Sequence, residues 1–255
     1  MRSIKDLQAW EGLFKKIVWT QLGDIKDKDI LDFGSGEGIT SDHFAEYNRV
    51  IAVEPWEEML KDAWTDHDYR QVVGDIKTIS EFEDNSFDII ICHNVLEYID
   101  DKASVVQELA RVLKPGGFIS LAKHNRNGRV MQMAVLLDDF EKANALLDGE
   151  DSMASKFGPI RYYEDFDVIS WCPDLYIDKS YGIRTFWDLQ QNQEKHLDED
   201  WQEKMLRLEM RVSEIQDFVN IAFFHHLIIR RKNELWGESC FGRIGTLWKS
   251  ICRRL

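Results

Sequence analysis

The sequence predicts an α/β fold, a Rossmann-like and doubly wound sheet of seven mostly parallel strands with helices on both faces. Short apolar strands alternate with amphipathic helices through the first half of the 255-residue chain. A glycine-rich turn, "DFGSGEGIT" at 32–40, joins the first strand to a helix. Acids stand at the ends of three successive strands: Asp32, Glu54 and Asp75. Ligands of such sheets bind at the carboxyl ends of the strands, so the pattern also predicts where a site lies.

Residues 1–125 predict five strands and four helices. A helix opens the chain over residues 3–23, because apolar residues recur at helical spacing and Gly23 suits a helix end. The strands are "DILDFG", "RVIAVE", "YRQVVGD", "SFDIIICHN" and "GFISLAKHN". The other helices are "SDHFAEY", "WEEMLKDAWTD" and "DKASVVQELARVL", the last of which "KPGG" ends at 114–117.

Residues 126–232 predict the rest of the sheet and a covering segment. The stretches "VMQMAVLLDDFEKANALLDGED" and "RYYEDFDVISWC" predict helices, so residues 126–170 are expected to form a lid beside the cleft. The stretches "LYIDKSYGIRTFWDL" and "IAFFHHLIIRRK" predict the last two strands, with a long amphipathic helix between them. No repeat or low-complexity linker divides the chain, so residues 1–255 are predicted to form a single domain.

The end of the chain, residues 235–255, predicts an amphipathic basic helix. It carries one acid and four bases, and its apolar residues share one helical face. The first interpretation is a helix that packs on the domain or on a homodimer partner. The alternative is a surface that contacts an anionic partner such as RNA or a membrane face.

Composition limits the function classes. The formal net charge of -14 argues against a broad basic surface for nucleic acid, although it leaves room for a local basic patch. Four scattered cysteines predict free thiols and a cytoplasmic protein. No apolar run has the roughly 18 residues of a membrane span. The seven histidines form no ligand cluster, so no metal site is predicted.

The glycine turn is a poor match to loops that bind phosphate. A nucleoside triphosphate loop requires a lysine that is absent here, and a dinucleotide loop requires a glycine where Ile39 stands. Acids beside a pyrophosphate would also repel it. S-adenosylmethionine has no phosphate and carries a sulfonium and an ammonium, so acids suit it, and Gly34 and Gly36 would let the backbone approach it closely.

Each acid then has a predicted partner on this cofactor. Asp32 suits the ammonium, and Glu54 can accept hydrogen bonds from both ribose hydroxyls. Asp75 can accept from the adenine amino group, while the N–H of Ile76 can donate to the ring. The alternative is that the loop is a tight structural turn and the acids are caps.

Five pieces of sequence, in this order and spacing, resemble the class I S-adenosylmethionine-dependent methyltransferases. They are "LDFGSGEG", "VIAVEPWEEML", "GD" at 74–75, "FDIIICHNVLEYIDD" and "ELARVLKPGGFISL", and they span roughly residues 28–122. The resemblance makes residues 1–125 the cofactor-binding half and implies contacts at Asp32, Gly34, Gly36, Glu54, Asp75 and His93, the last mainly through its backbone. Pro55 and Trp56 follow the ribose acid and are predicted to line the adenine.

Further stretches look like the bacterial tRNA 5-carboxymethoxyuridine methyltransferases, which methylate the carboxylate of a modified wobble uridine. These are "CHNVLEYIDD", "KHNRNGRVMQM", "GIRTFWDL" and the segment that ends at residue 232. The acidic net charge and the tail depart from that group. A tRNA acceptor and a small-molecule acceptor are therefore both carried forward.

The type of acceptor decides which residues matter on the acceptor side. A carboxylate is ionised and needs a cation to position it rather than a base. Arg184, in the predicted sixth strand, is the first candidate and Arg126 the second; the alternative for both is a surface salt bridge.

A neutral hydroxyl or amine acceptor would need a base, for which His124, His93 and Tyr98 are candidates. His225 and His226 are interpreted as structural. Four aromatic residues either stack a base or pack the core and lid, and packing is favoured: Tyr162, Tyr163, Trp171 and Trp187.

Three functions follow: a tRNA methyltransferase, a small-metabolite methyltransferase, and a methyltransferase-like binding module without activity. A basic rim around the cleft would favour tRNA, whereas an acidic lid would favour a metabolite. The complete set of strand-end acids argues against the third function.

Overall fold

The computed structural model describes residues 4–154 and 157–232. The predicted tail at 235–255 lies outside these residues, and so does its predicted contact with a homodimer partner. Within the described part, none of the helices has the length and apolar character that crossing a bilayer requires.

A seven-stranded sheet forms the centre of the fold. Its strands are β1 (Asp29–Phe33), β2 (Arg49–Glu54), β3 (Arg70–Val73), β4 (Phe87–His93), β5 (Leu113–His124), β8 (Leu175–Ile183) and β9 (Phe224–Arg231), and a separate hairpin joins β6 (Ser152–Ala154) to β7 (Gly158–Ile160). The order is β3-β2-β1-β4-β5-β9-β8. Strands β1 to β5 pair in parallel, and β9 is antiparallel to both of its neighbours. The predicted seven-stranded, mostly parallel sheet is confirmed.

Helices cover both faces of this sheet. They are α1 (Ala9–Leu22), α2 (Ile39–Ala45), α3 (Glu57–Leu60), α4 (Ile76–Ser80), α5 (Lys102–Val112), α6 (Arg126–Met131), α7 (Phe140–Leu147), α8 (Asp165–Trp171), α9 (Glu199–Val212) and α10 (Gln216–Val219). Short 3-10 turns occur at Ile4–Asp6, Leu96–Tyr98, Trp187–Leu189 and Gln193–Leu197, and a π-helix at Gln132–Leu136.

The core consists of two apolar layers, one on each side of the sheet. Leu31 and Ile90 point into the layer beneath α5 and α8, whereas Ile30, Ile89 and Ile91 point into the opposite layer. Because successive strand residues alternate between the faces, strands that are apolar throughout must be covered on both sides.

The predicted helix at 56–66 is largely wrong. Only Glu57–Leu60 is helical, because the following residues are held by the glycine turn and helix α2 instead. The N–H of Trp64 donates to the carbonyl oxygen of Glu37 at 2.8 Å, and that of His67 to Oδ1 of Asp42 at 2.8 Å.

The lid is less regular than the sequence predicts. The helix expected over residues 130–151 is broken into α6, the π-helix and α7. Asp138 has a φ of 52°, which ends the first segment, and Asp139 caps α7 by accepting from the N–H of Lys142. The β6–β7 hairpin was not predicted.

Candidate active site

Asp32 lies at the carboxyl end of β1 and is 3% exposed. Its Oδ2 accepts a hydrogen bond from Ser41 Oγ at 2.6 Å. Burial raises the pKa of Asp32 to about 6, against the hydrogen bond from Ser41 and the charge of Lys15, which favour the ionised form. A buried carboxylate with one neutral partner is suited to receive a cation.

The three glycines of the turn all have positive φ, at 75° for Gly34, 58° for Gly36 and 74° for Gly38. A Cβ at Gly34 would overlap Cγ2 of Val95, and one at Gly38 would overlap the hydroxyl of Tyr69. These two glycines are therefore required by contacts within the protein. A Cβ at Gly36 would be 3.4 Å from Cε of Met59, and the N–H of Gly36 donates to the carboxylate of Glu54 at the end of β2.

Glu54 ends β2 and is 8% exposed. Its Oε2 accepts from the N–H of Gly36 at 2.9 Å, and its Oε1 from the N–H of Trp56 at 3.0 Å. Each carboxylate oxygen has a second lone pair, so both can still accept from a pair of hydroxyls.

Asp75 and Ile76 stand at the start of helix α4. Asp75 is exposed, and its Oδ1 caps the helix by accepting from the N–H of Lys77 at 2.9 Å. One oxygen of Asp75 therefore caps a helix, which was the alternative to a cofactor-binding role, and the other oxygen is not used by this cap. Ile76 is the first residue of the helix, where an N–H has no partner within the helix.

Aromatic rings line the mouth beyond Glu54. Pro55 is exposed and Trp56 is 47% exposed. The ring of Trp56 lies 5.4 Å from that of Phe157, which lies 5.5 Å from that of Tyr98. These residues connect the end of β2 to the lid.

His93, at the end of β4, belongs to a chain of hydrogen bonds across the sheet. Its Nε2 lies 2.7 Å from Ser120 Oγ, which lies 2.8 Å from Nε2 of His226; Nδ1 of His226 lies 2.7 Å from Oε1 of Gln21. Since Oε1 only accepts, His226 carries its proton on Nδ1, Ser120 donates to His226, and His93 donates to Ser120. Burial also lowers the pKa of both histidines, that of His226 to about 3.

Two buried polar atoms beside these strand ends have no hydrogen-bond partner in the described structure: Ser35 Oγ and Asn94 Oδ1. Ser35 belongs to the glycine turn, and Asn94 follows β4 with a φ of 57°. Buried polar groups are usually satisfied, so these atoms fit a cleft that receives a polar ligand.

Lys15, on α1, also lies in this region, and sequence reasoning did not identify it. Its Nζ donates to Thr40 Oγ1, at the start of α2, at 2.7 Å. Burial lowers the pKa of Lys15, and the charge of Asp32 opposes this. A lysine beside the apolar face of an amphipathic helix is common, so its position alone carried no signal.

On the acceptor side, His124 ends β5. Its N–H donates to Oε1 of the buried Glu97 at 2.6 Å, and its ring lies 4.6 Å from that of Phe224. Burial and then the charges of Arg184 and Arg129 lower the pKa of His124 to about 3. Burial raises the pKa of Glu97 to about 6.

Arg184 lies one residue beyond β8, not within a strand as predicted, with a φ of 60°. It is 6% exposed, and its guanidinium makes two hydrogen bonds to the carboxylate of Asp188. The rings of Phe223 and Phe224 lie 5.0 and 5.2 Å from it. The first acceptor candidate is therefore already paired, in a buried rather than a surface salt bridge.

Arg126, the second candidate, caps the end of α7. Its Nη1 donates to the carbonyl oxygens of Leu146 and Glu150, and the guanidinium lies 4.7 Å from the centre of the Tyr162 ring.

Arg129 is only partly satisfied within the described part of the chain. Its Nη1 donates to Oε1 of Gln132, and its Nε is buried without a partner in the described structure. Gln132 in turn donates to Asp188 at 3.3 Å, which holds Arg184. Among the described residues, this hydrogen-bonded set contains two guanidiniums and one carboxylate, so the set carries one net positive charge.

The four aromatic candidates differ in their burial. Tyr163 and Trp187 are buried in the core, and Trp171 packs against it, as favoured. Tyr162 is half-buried beside Arg126, with its hydroxyl 2.8 Å from Ser152 Oγ.

The remaining histidine and cysteine side chains have the following surroundings. His225 has structural partners, since its ring contacts Asp165 at 2.9 Å and the carbonyl oxygen of Val219 at 2.9 Å. Cys92 and Cys172 are free thiols; the other cysteines lie outside the described residues. Among residues 4–154 and 157–232, no group of three acids, histidines or cysteines is placed to hold a metal ion.

The surface of the lid is acidic. Residues 138–151 contain six acids and one lysine, and all but one of the acids are exposed.

Residues 31–121 match the family described as Methyltransferase domain. Together with the strand order and the glycine turn, this match defines a class I S-adenosylmethionine-dependent methyltransferase domain. The chain is an enzyme of this kind, and S-adenosylmethionine is its cofactor.

Two relatives differ in their acceptors. The chain is 27% identical to the tRNA 5-carboxymethoxyuridine methyltransferase of Escherichia coli (strain K12) over 233 residues, which cover 87% of this chain and 86% of that enzyme. It is 32% identical to the ubiquinone biosynthesis O-methyltransferase of Paracidovorax citrulli over 124 residues, which cover 45% and 51%.

Solved structures share the fold. The methyltransferase in complex with the Haloferax volcanii Trm112 activator has a TM-score of 0.57 at 17% identity and covers 91% of this chain and 94% of its own. An S-adenosylmethionine-dependent methyltransferase from Mesorhizobium loti has a TM-score of 0.53 at 16% identity and covers 90% and 100%.

Proposed function

We propose that the enzyme transfers a methyl group to a carboxylate and forms a methyl ester. The observation that supports this most strongly is the hydrogen-bonded set of Arg129, Arg184 and Asp188, joined through a glutamine, which has two guanidiniums and one carboxylate and so lacks one counterion within itself. An anionic acceptor would supply it.

The candidate bases support the same choice. The pKa values of His93 and His124 are lowered by burial, the second to about 3, and burial raises the pKa of Tyr98 to about 12. A general base works best with a pKa near the working pH, which none of these three has. Glu97 comes nearer, since burial raises its pKa to about 6, but its Oε1 already accepts from the N–H of His124. A carboxylate acceptor is already ionised and needs no base.

The cofactor would be held by the strand-end acids. Asp32 binds its ammonium, Glu54 its ribose hydroxyls, and Asp75 with the N–H of Ile76 its adenine; Trp56 borders the ring. When bound, S-adenosylmethionine supplies a methyl group that its sulfonium has activated toward displacement. The protein then has to orient the acceptor and exclude water.

On the acceptor side, Arg129 positions the carboxylate. Arg184 contributes its charge from behind Asp188, and Arg126 fixes the lid by capping α7. His124 stays neutral and packs against the acceptor. Arg129 thus takes the role that the sequence led us to expect of Arg184 and Arg126.

The first acceptor to test is the carboxylate of a modified tRNA wobble uridine, because the similarity to the E. coli tRNA enzyme spans most of both chains. The second is a small carboxylate, which the acidic lid favours since six acids at 138–151 would repel a nucleic acid backbone. A cytoplasmic location stays a prediction.

Base lability of the product tests the reaction type. The purified enzyme is incubated with radiolabelled cofactor and with tRNA from a strain that lacks the enzyme. A parallel reaction contains small molecules from the same strain instead of the tRNA. Mild alkali hydrolyses methyl esters but not methyl ethers or N-methyl groups, so label that resists alkali would exclude a carboxylate acceptor. Nucleoside mass spectrometry of that tRNA decides between acceptors, because unchanged modified uridines would exclude the tRNA substrate.

Arg129→Gln tests the acceptor contact. A hydrogen bond to a charged group contributes about 1.5–3 kcal/mol, so we expect KM for the acceptor to rise about 10- to 100-fold while cofactor affinity is unchanged. Arg207→Gln is the control, because Arg207 is exposed and pairs with Glu203 on α9. An unchanged KM in Arg129→Gln would show that another group binds the acceptor.

A further inference from the structure

We propose that the tail, residues 235–255, docks on the outer face of helix α7 in the lid of the same chain. The tail is the basic amphipathic segment that the sequence predicts, and the proposed reaction uses none of its residues. The inference does not depend on the identity of the methyl acceptor.

The outer face of α7 carries a stripe of exposed apolar side chains. Phe140 and Leu147 are seven positions apart, which places them on the same side of the helix, and they are 60% and 64% exposed. Leu137, just before the helix, is also more than half exposed. The inner face is buried through Ala143 and Leu146 instead. An exposed apolar stripe with a polar surround favours a contact with a further segment or molecule.

The charge around this stripe restricts what could cover it. Residues 138–151 contain six acids and one lysine, a net charge of -5. Two of the exposed acids, Asp148 and Glu150, directly follow the helix. Such a surface repels a nucleic acid or an anionic membrane and attracts a segment that is both apolar and basic.

The tail has both of these properties. Its four bases and one acid give a net charge of +3, and three of the bases lie within residues 249–254. Apolar residues recur in it at alternate spacings of three and four, the spacing of one helical face: Phe241, Ile244, Trp248, Ile251 and Leu255. An amphipathic helix that lays its apolar face on an apolar surface is a common mode of recognition.

The tail is long enough to reach the lid of its own chain. Lys232 is the last described residue, and its N–H donates to the carbonyl oxygen of Asp174, just before β8, at 2.7 Å. The lid lies at the opposite end of β8 and β9, where Nε2 of Gln191 donates to the carbonyl oxygen of Val135 at 3.0 Å. Strand β9 has eight residues and spans about 26 Å. The eight residues 233–240 span up to about 28 Å when extended, so the basic part of the tail can arrive at α7.

Docking would change the charge beside the cleft. The tail would offset three of the five net negative charges of residues 138–151, so this surface would repel an anionic acceptor less. The test below measures no methyl transfer, and its result is therefore independent of the proposed reaction.

Hydrogen exchange of the full-length protein measures docking through the amides of α7. The variant Arg253→Glu/Arg254→Glu reverses two charges of the tail, and we expect the α7 amides to exchange about tenfold faster in it. Asp148→Lys/Glu150→Lys reverses two charges of the lid and should have the same effect. The combination of the two should return exchange to within about threefold of the wild-type rate, because opposite charges again face each other.

The matched control is Asp66→Lys/Asp68→Lys. These two exposed acids precede β3, which is the edge strand farthest from β8, and the change in net charge equals that of the lid variant. This control should leave α7 exchange unchanged and should not restore it in the tail variant. Thermal unfolding verifies that each variant is folded.

Three exchange results would overturn the proposal: equal α7 exchange in the wild type and the tail variant, slower exchange in the lid variant, or fast exchange that persists in the combined variant. Slower exchange in the lid variant would show that lysines at the end of α7 merely stabilise that helix. Light scattering identifies the occupant. We expect a monomer whose α7 protection does not depend on concentration, whereas a dimer whose protection rises with concentration would place the tail of a second copy on this face and overturn docking within one chain.

Discussion

Replacement of Asp32 by asparagine should make the protein more stable and its cofactor binding weaker. The amide can keep the hydrogen bond from Ser41 Oγ, because its oxygen still accepts. The substitution removes the negative charge of a residue that is only 3% exposed. The side chain is close in size, so packing around β1 should change little.

The size of both effects follows from the pKa of Asp32, which burial raises from 3.8 to about 6. A carboxyl with a raised folded-state pKa adds stability that is fully present below its unfolded pKa and is lost as the pH rises through about 6. A pKa shift of about 2 units corresponds to about 3 kcal/mol of unfolding free energy. At pH 8, where the wild-type carboxyl is ionised, Asp32→Asn should raise the free energy of unfolding by at most this amount. The loss of the favourable charge on Lys15 reduces this gain.

Cofactor affinity should show the reverse pH dependence. In the proposed site the cofactor's ammonium requires ionised Asp32, whose ionised fraction falls from about nine-tenths at pH 7 to about one-tenth at pH 5, so affinity should fall about tenfold. The Asp32→Asn protein should bind weakly and lack this dependence. Calorimetry with S-adenosylhomocysteine and urea unfolding at pH 5 and 8 measure the two effects.

Asp42→Asn is the control, because Asp42 is also buried but accepts from the N–H of His67, away from the strand end. It should leave cofactor affinity unchanged. A destabilised Asp32→Asn protein with normal cofactor affinity would refute the reasoning, since Asp32 would then be a structural carboxylate.

Two further predictions concern stability, and urea unfolding measures both. Gly34→Ala should lower the free energy of unfolding by more than about 1 kcal/mol, because φ is positive and the new Cβ would overlap Val95. Adding Val95→Ala should restore part of this loss. If it restores nothing, backbone strain alone is the cause. Asp188→Ala should lower the free energy of unfolding by about 3–5 kcal/mol, because it leaves the buried Arg184 without its carboxylate. The double variant Arg184→Met/Asp188→Ala should regain much of this stability. Equal losses in the single and the double variant would mean that the unpaired charge is not the cause.

The cofactor half of the fold was predictable because its signals are local. Strand β2 occupies the six residues of "RVIAVE", as predicted, since an apolar run between turn residues has little else to form. The ends of such strands bring distant acids together without any contact having to be guessed. Asp32 and Glu54 are 22 positions apart in the sequence, yet the parallel pairing of β1 and β2 alone places both at one edge.

The acceptor half was harder because its key features are tertiary. The spacing of Arg184 and Asp188 is visible in "RTFWD", but only the folded loop shows that the pair is buried and that the arginine is therefore occupied. Arg129 is one arginine among several after β5, and its unpartnered Nε appears only once the lid is in place. Lys15 lies 17 positions before Asp32, in a helix whose pattern predicts nothing beyond packing.

The charges of the cleft have an order that suits the proposed reaction. Acids end β1 and β2 on the proposed cofactor side, and Arg129, whose charge lacks a carboxylate partner in its hydrogen-bonded set, follows β5 on the acceptor side, so each reactant would meet the opposite charge. Methyl transfer from a sulfonium to a carboxylate removes one positive and one negative charge, which a site shielded from water favours. The ester that results no longer complements Arg129, whose charge is then again without a partner. The same uncompensated cation that would draw the acceptor in would thus weaken the hold on the product.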